Sequence, residues 1–298
     1  MRKIAAFSIA ILLILAGGCA ERDRVITVGS KQFTEQIILG KIMKIMLERN
    51  GFQVNDKTGL GGTLIVRRAL ENGEIDVYME YTGTALLLYL KHKKPVTDPR
   101  RCYETVKRED EEKNDLIWLK PCEFNNTYTL MMRRDEAGRL NIDTISDLAR
   151  YVKRHPREIF FATGAEFFAR PDGYPSLEKC YGFRFAADNV IKMDPGLTYE
   201  ALRTGKVQVA MGFSTDGRIV AFGFVTLRDD RHFFPAYNPA PVVRKVILEK
   251  YPQVSDILNK IGPNLDTRRM RELNKQVDVG HRDPERVAED FLKREGLI

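Results

Sequence analysis

Four aromatic residues stand beside turns or in loops instead of inside long apolar runs: Tyr81 in "DVYMEYTGTALL", Tyr128 in "NNTYTL", Phe213 in "GFSTDG" and Tyr237 in "FFPAYNPAP". An aromatic face attracts a cation by roughly 0.5–2 kcal/mol, the larger figure applying where water is excluded. Such faces suit a quaternary ammonium group, which carries no N–H to hydrogen-bond. Three polar residues add a second chemistry. Lys31 follows a strand-like run, Arg170 sits in "FFARPDG", and Thr84 lies in the turn after Tyr81. A Lys and an Arg converging on one point hold a carboxylate, the guanidinium doing so with two parallel bonds. Taken singly, each ring is accounted for by packing and each cation by surface charge; the combination points to a site.

Chemistry that makes or breaks bonds has little to work with. There is no G-x-S-x-G elbow, no G-x-x-x-x-G-K-[ST] loop and no H-E-x-x-H pair, and of the four histidines only His232 in "DDRHFF" is a candidate base. "GLGG", Gly59 to Gly62, is a turn or at most an anion cradle before a helix. The spacing of cysteines and histidines suggests no zinc site, so neither metal nor cofactor is expected. An exported enzyme and a sensory domain are the competing classes. Amino acids and polyamines are the competing ligands, and they would call for extra acidic groups to take their N–H donors.

These residues need elements to position them. "RVITVGS" reads as a first strand. "TEQIILGKIMKIMLERNG" reads as a helix capped by Thr34, with Glu35 in its first turn, Ile38, Ile42, Ile45 and Met46 as its core stripe, and Gly51 at its end. Strand and helix patterns alternate along the chain, which predicts parallel sheets built from βαβ units. A weak internal repeat appears: "GSKQF" at Gly29 resembles "GAEFF" at Gly164, and "ALENGEIDVYMEYT" at Ala69 resembles "ALRTGKVQVAMGFS" at Ala201, pairing Tyr81 with Phe213. Two similar lobes follow. Ligands of open parallel sheets sit beyond the carboxyl ends of the strands, so Tyr81 and Phe213 are expected as opposed walls of one interlobe pocket. The chain is expected to cross near "LKPCEFNNTY" and return near "VTLRDDRHFFPAY", with helices from "PAPVVRKVILEKYP" onward rejoining the first lobe. The lobes are then 24–124 with 232–298, and 125–231.

The N-terminus is of another kind. "MRK" precedes the apolar run "IAAFSIAILLILAGG", about the length of a signal-peptide core, and "LAGGC" looks like a lipobox with Ala16 where leucine is usual. Residues 1–19 are expected to be a signal peptide with its lipobox, cleaved before Cys19, which then receives lipid. Losing Arg2 and Lys3 leaves 46 basic against 41 acidic residues, a balance of +5. No basic stripe interleaved with aromatics stands out, so nucleic acid is not an expected partner. "KREDEEKND" reads as a solvated helix face. Cys102 and Cys122 flank one helix-and-strand unit, which leaves a disulfide between them open in an exported protein, with Cys180 as a buried odd thiol.

"GSKQFTEQIILG", "DVYMEYTGT", "FNNTYTL", "EFFARPDGYPSLEKCYGF" and "FFPAYNPAP" together resemble the substrate-binding proteins of osmoprotectant ABC importers, the glycine betaine, choline and carnitine binders, from about Val25 to the C-terminus. The resemblance implies an α/β, two-lobed, type II periplasmic-binding-protein-like fold, each lobe a mixed sheet flanked by helices, joined by two hinge crossings. It implies an aromatic cage for a trimethylammonium head at Tyr81, Tyr128 and Tyr237, with Phe213 where the family's tyrosine would stand. Lys31, Thr84 and Arg170 fall on the carboxylate contacts. The partners it implies are the ligand, an ABC permease and, through lipid on Cys19, the outer face of the membrane, the protein itself being a monomer.

Overall fold

The computed structural model describes residues 24–298. The leader and Cys19 lie outside that range. No helix among the described residues is long and apolar enough to cross a membrane.

Ten strands form two five-stranded sheets. They are β1 (Val25–Lys31), β2 (Gln53–Gly61), β3 (Val77–Tyr81), β4 (Leu116–Trp118), β5 (Tyr128–Arg133), β6 (Phe161–Thr163), β7 (Val190–Lys192), β8 (Val209–Phe213), β9 (Phe224–Thr226) and β10 (Pro239–Arg244). The orders are β2-β1-β3-β10-β4 and β7-β6-β8-β5-β9. The same directions recur in both. β1 runs parallel to β2 and β3, and β6 runs parallel to β7 and β8. β10 and β5, the first strands after each crossing, run antiparallel to their neighbours. The sheets are therefore mixed. Strand–helix alternation suggested parallel sheets, but a strand that enters from the other lobe arrives at the opposite end of its sheet and runs the other way.

The internal repeat is a structural one. Helix Thr63–Glu71 and strand Val77–Tyr81 recur 132 residues on as helix Pro195–Arg203 and strand Val209–Phe213. Gly73 and Gly205 occupy matching positions at φ +76°, a left-handed geometry that suits glycine where a helix must turn back toward a strand.

Several local expectations are corrected. Thr34 is the first residue of helix Thr34–Arg49 and not its cap; its hydroxyl donates to Asp278 Oδ1 at 2.6 Å. The Thr82–Thr84 segment is a helical turn that runs on through Ala85–Tyr89. "PAPVVR" is a strand and not the start of a helix. Its prolines are tolerated because β4 pairs only with Val242–Arg244, while the carbonyls of Pro239 and Pro241 accept from Cys122 and Leu119. Helix Pro99–Asn114 is mostly solvated, yet Asp110 within the charge-rich run is fully buried, where it takes Arg67 bidentately at 2.6 and 2.8 Å and Trp118 Nε1 at 2.7 Å. Cys102 and Cys122 are free, buried thiols in separate core clusters, so they form no bridge, and Cys180 is partly exposed.

The C-terminal helices do return to the first sheet. Val254, Leu258, Met270, Leu273, Val287 and Phe291 pack with Ile38, Ile42 and Met46 in one buried cluster. The two connections between the sheets, residues 119–127 and 227–238, lie side by side and bond to each other. Asn126 N–H donates to Tyr237 O at 3.1 Å, Tyr237 N–H to Asn125 Oδ1 at 2.8 Å, and Asn238 Nδ2 to Phe124 O at 2.8 Å.

Candidate functional site

Strand register brings the rings together. Tyr81 ends β3 and Phe213 ends β8, so each sits at the carboxyl end of a parallel strand. Tyr128 opens β5 directly opposite Phe213. Pro239 opposes Tyr81, which places Tyr237 just beyond the end of β3. Phe33, from the turn after β1, completes an arc. Ring centroids follow one another as Tyr81–Phe33 at 6.3 Å, Phe33–Phe213 at 5.4 Å, Phe213–Tyr128 at 5.4 Å and Tyr128–Tyr237 at 5.6 Å. All five line a cavity of about 240 Å³ between the sheets.

Two of the hydroxyls are tied down by carboxylates. Tyr81 Oη donates to Glu35 Oε1 at 2.7 Å, and Tyr237 Oη donates to Asp172 Oδ2 at 2.5 Å. Burial, reinforced by those neighbouring carboxylates, pushes both phenols well above their ordinary range. Burial also raises Tyr128, against the pull of Arg170.

The cations reach the site already partnered. Lys31 Nζ bonds Glu80 at 2.6 Å and lies 5.1 Å from the centroid of the Tyr81 ring. Arg170 binds Asp172 through Nε and Nη2 at 2.7 and 2.6 Å and Glu166 through Nη1 at 3.0 Å, with its guanidinium 5.6 Å from the Tyr128 centroid. Burial opposes the charge on Glu166, but Lys31, Thr63 and Arg170 hold its carboxyl below the ordinary glutamate range.

Of the seven residues singled out from sequence, Lys31, Tyr81, Tyr128, Arg170, Phe213 and Tyr237 line the cavity. Thr84 stands behind it, where its hydroxyl accepts from Arg170 Nη2 at 3.4 Å. Among the residues sequence reasoning passed over, Phe33, Glu35, Asn126, Glu166, Thr215 and Asn274 also line it. Phe33 was in view as part of the repeated "GSKQF" block, but its counterpart in position, Phe168, is not the ring that lines the cavity; Phe167 is. His232 is exposed, in a left-handed turn at φ 52°.

Residues 24–294 match the family described as the substrate binding domain of ABC-type glycine betaine transport systems. The chain belongs to that family. It is 38% identical over 302 residues to the glycine-betaine-binding protein of Pseudomonas aeruginosa, covering 100% of this chain and 96% of that one. It is 37% identical over 279 residues to the ergothioneine transport permease/ergothioneine binding protein EgtU of Helicobacter pylori, covering 93% of this chain and 49% of that one. The crystal structure of a glycine betaine/carnitine/choline ABC transporter superposes with a TM-score of 0.75 at 31% identity, over 91% of this chain and 99% of that one. The two-lobed α/β fold is that of the type II periplasmic binding proteins, and the chain is a solute-binding component of an importer, not an enzyme.

Proposed function

We propose that the cleft captures a compact trimethylammonium compound, glycine betaine, choline or a close relative, and delivers it to an ABC permease from the outer face of the membrane, the protein being a monomer held there through lipid on Cys19. The observation that carries this reading is the arc of five rings drawn from both lobes and the crossings. A methylated cation gains from each face it touches, and an arc gives it several at once. The charges around the cavity agree. Of the acidic lining residues, Glu35 is occupied by four side-chain donors, Glu166 by Arg170, Asp216 by Arg218 and Asp278 by Thr34, so few carboxylates are left for the N–H donors of an amino acid or polyamine. The volume of about 240 Å³ lies below the range of roughly 300–1,000 Å³ usual for drug-sized ligands and favours a small solute. Lys31 and Arg170 retain N–H groups beyond those spent on Glu80, Asp172 and Glu166, so a betaine carboxylate can join them at one end of the cavity.

A panel of glycine betaine, proline betaine, choline, carnitine, ergothioneine and arginine, run by calorimetry and thermal shift on protein lacking residues 1–19, tests the reading. A ligand that binds only the folded form raises the melting temperature. At least one trimethylammonium compound is expected to do so, and arginine is not. Binding of arginine alone would replace this function with amino-acid capture.

A further inference from the structure

Glu35 is a buried carboxylate that no cation among the described residues neutralises directly. It lies in the first turn of helix Thr34–Arg49 with 3% of its surface exposed. Four side chains donate to it instead: Tyr81 Oη at 2.7 Å and Asn126 Nδ2 at 2.7 Å on Oε1, Thr215 Oγ1 at 2.5 Å and Asn274 Nδ2 at 3.1 Å on Oε2. Asn126 and Asn274 turn their amide nitrogens to Glu35 and leave their own carbonyl oxygens buried without partners. An unpartnered buried carbonyl is costly; burial raises the Glu35 carboxyl above the ordinary glutamate range, and the four donors offset that burial.

The four donors come from both lobes and one of the crossings. Tyr81 ends β3 in the first lobe, and Asn274 lies on helix Thr267–Asp278, packed on the same lobe. Asn126 is in the crossing before β5. Thr215 follows β8 in the second lobe. Elsewhere the lobes meet through Asn274 Nδ2 to Thr215 O at 3.0 Å, Arg271 Nε to Ser214 O at 2.8 Å, Arg218 to Asp278 at 3.5 Å and Arg170 to Thr84 at 3.4 Å, and Glu166 faces Lys31 and Thr63. The Glu35 cluster holds Tyr81 of the arc directly through its hydroxyl, whereas Arg170 holds Tyr237 through Asp172.

We propose that Glu35 is the latch of the cleft, a positioning residue whose carboxylate holds the closed lobes together through Thr215 while fixing the cage ring Tyr81. Opening the cleft withdraws the Thr215 hydroxyl and leaves one oxygen of a buried anion short of a donor. The closed state is thereby favoured, and because Tyr81 hangs on the other oxygen, a ligand seated against that ring and the latch stabilise each other. Where the latch acts on a bound ligand, it rests on the trimethylammonium reading above; its effect on closure does not.

The test uses Thr215→Val, which keeps the shape and removes the hydroxyl, Glu35→Gln, which keeps the shape and removes the charge, and Thr215→Ser as the rescue. Small-angle scattering without ligand reads closure. Release of radiolabelled glycine betaine and choline after isotopic dilution, with the association rate measured alongside, reads the latch under load. The expected result is a larger radius of gyration for Thr215→Val and Glu35→Gln than for wild type. Release of the bound probe should be about tenfold faster for Thr215→Val, as loss of a bond to a charged acceptor implies. The association rate should not fall, since the variant cleft is open more of the time, and Thr215→Ser should restore wild-type values. If wild type binds neither probe, the proposed function fails and the scattering alone decides the latch. Unchanged scattering and unchanged release in Thr215→Val would overturn it. Should Glu35→Gln melt too low to measure, Thr215→Val and its rescue still decide.

Discussion

The two lobes solve one geometric problem with the same unit and finish it differently. In each, a helix runs back through a glycine at φ +76° into a strand whose last residue is an aromatic ring facing the cleft. In the first lobe that ring is Tyr81, buried, with its hydroxyl on Glu35. In the second it is Phe213, half-buried, held by ring contacts to Phe33 and Tyr128 and by its backbone N–H donating to Tyr199 Oη at 2.8 Å. The cations differ in the same sense. Lys31 rests on Glu80, which also accepts from Tyr78, Tyr89 and the Tyr81 backbone. Among the described residues Arg170 is the only cation on Asp172, whose other donor is the Tyr237 hydroxyl. A repeated backbone thus sets where the site is, and unrepeated side chains set how firmly each wall stands.

The largest expected effect separates the two cations. Arg170→Met strands Asp172 in a buried position and deprives Glu166 of its closest cation. Breaking a buried pair from one side costs about 3–5 kcal/mol, which for a chain of this size lowers the melting temperature by roughly 10 °C. Lys31→Met leaves Glu80 with three remaining donors and should cost clearly less. Thermal unfolding of the two variants side by side checks this; equal losses would mean that Asp172 is as well supported as Glu80 and that the contrast between the lobes is false.

Next comes the contrast between the rings. Tyr81→Ala removes a cage face, worth up to about 2 kcal/mol where water is excluded, and takes a donor from Glu35, worth about 1–3 kcal/mol. Together they predict a loss of about two orders of magnitude in affinity for a trimethylammonium ligand. Phe213→Ala removes a face alone and should lose about tenfold. Calorimetric titration of both variants with the ligand the wild type binds best gives the ranking, and the reverse order would show that the second lobe carries the main contact.

What the sequence revealed follows the same division. The repeat was visible because Gly73 and Gly205 punctuate two units of equal length. The rings were visible because they stand at strand ends beside turns. Strand direction was not legible in the alternation of strands and helices, which carries no sign of the crossing that makes β5 and β10 antiparallel; the mixed sheets were implied only by the family resemblance. Glu35 was passed over because an acidic residue in a helix's first turn already has a local reason, the favourable interaction with the helix N-terminus. Its partners Tyr81, Asn126, Thr215 and Asn274 lie 46, 91, 180 and 239 residues away. No pattern along the chain joins positions so far apart; only the fold does. Thr84, placed by motif at the ligand, accepts from Arg170 Nη2.

The smallest expected effect is also the sharpest probe of the difference between the two units. Phe213→Tyr restores in the second lobe the side chain that the first lobe carries at the matching position. If the hydroxyl of Tyr81 matters through Glu35, a hydroxyl at 213 without a carboxylate behind it should do little. The π face is nearly unchanged, and a half-buried edge lets the new group reach water, so affinity for the ligand should move by less than about threefold. A gain of tenfold or more on titration would mean instead that the hydroxyl meets the ligand or a fixed polar group across the cleft. The second lobe's ring would then be a determinant of ligand choice and not an interchangeable wall.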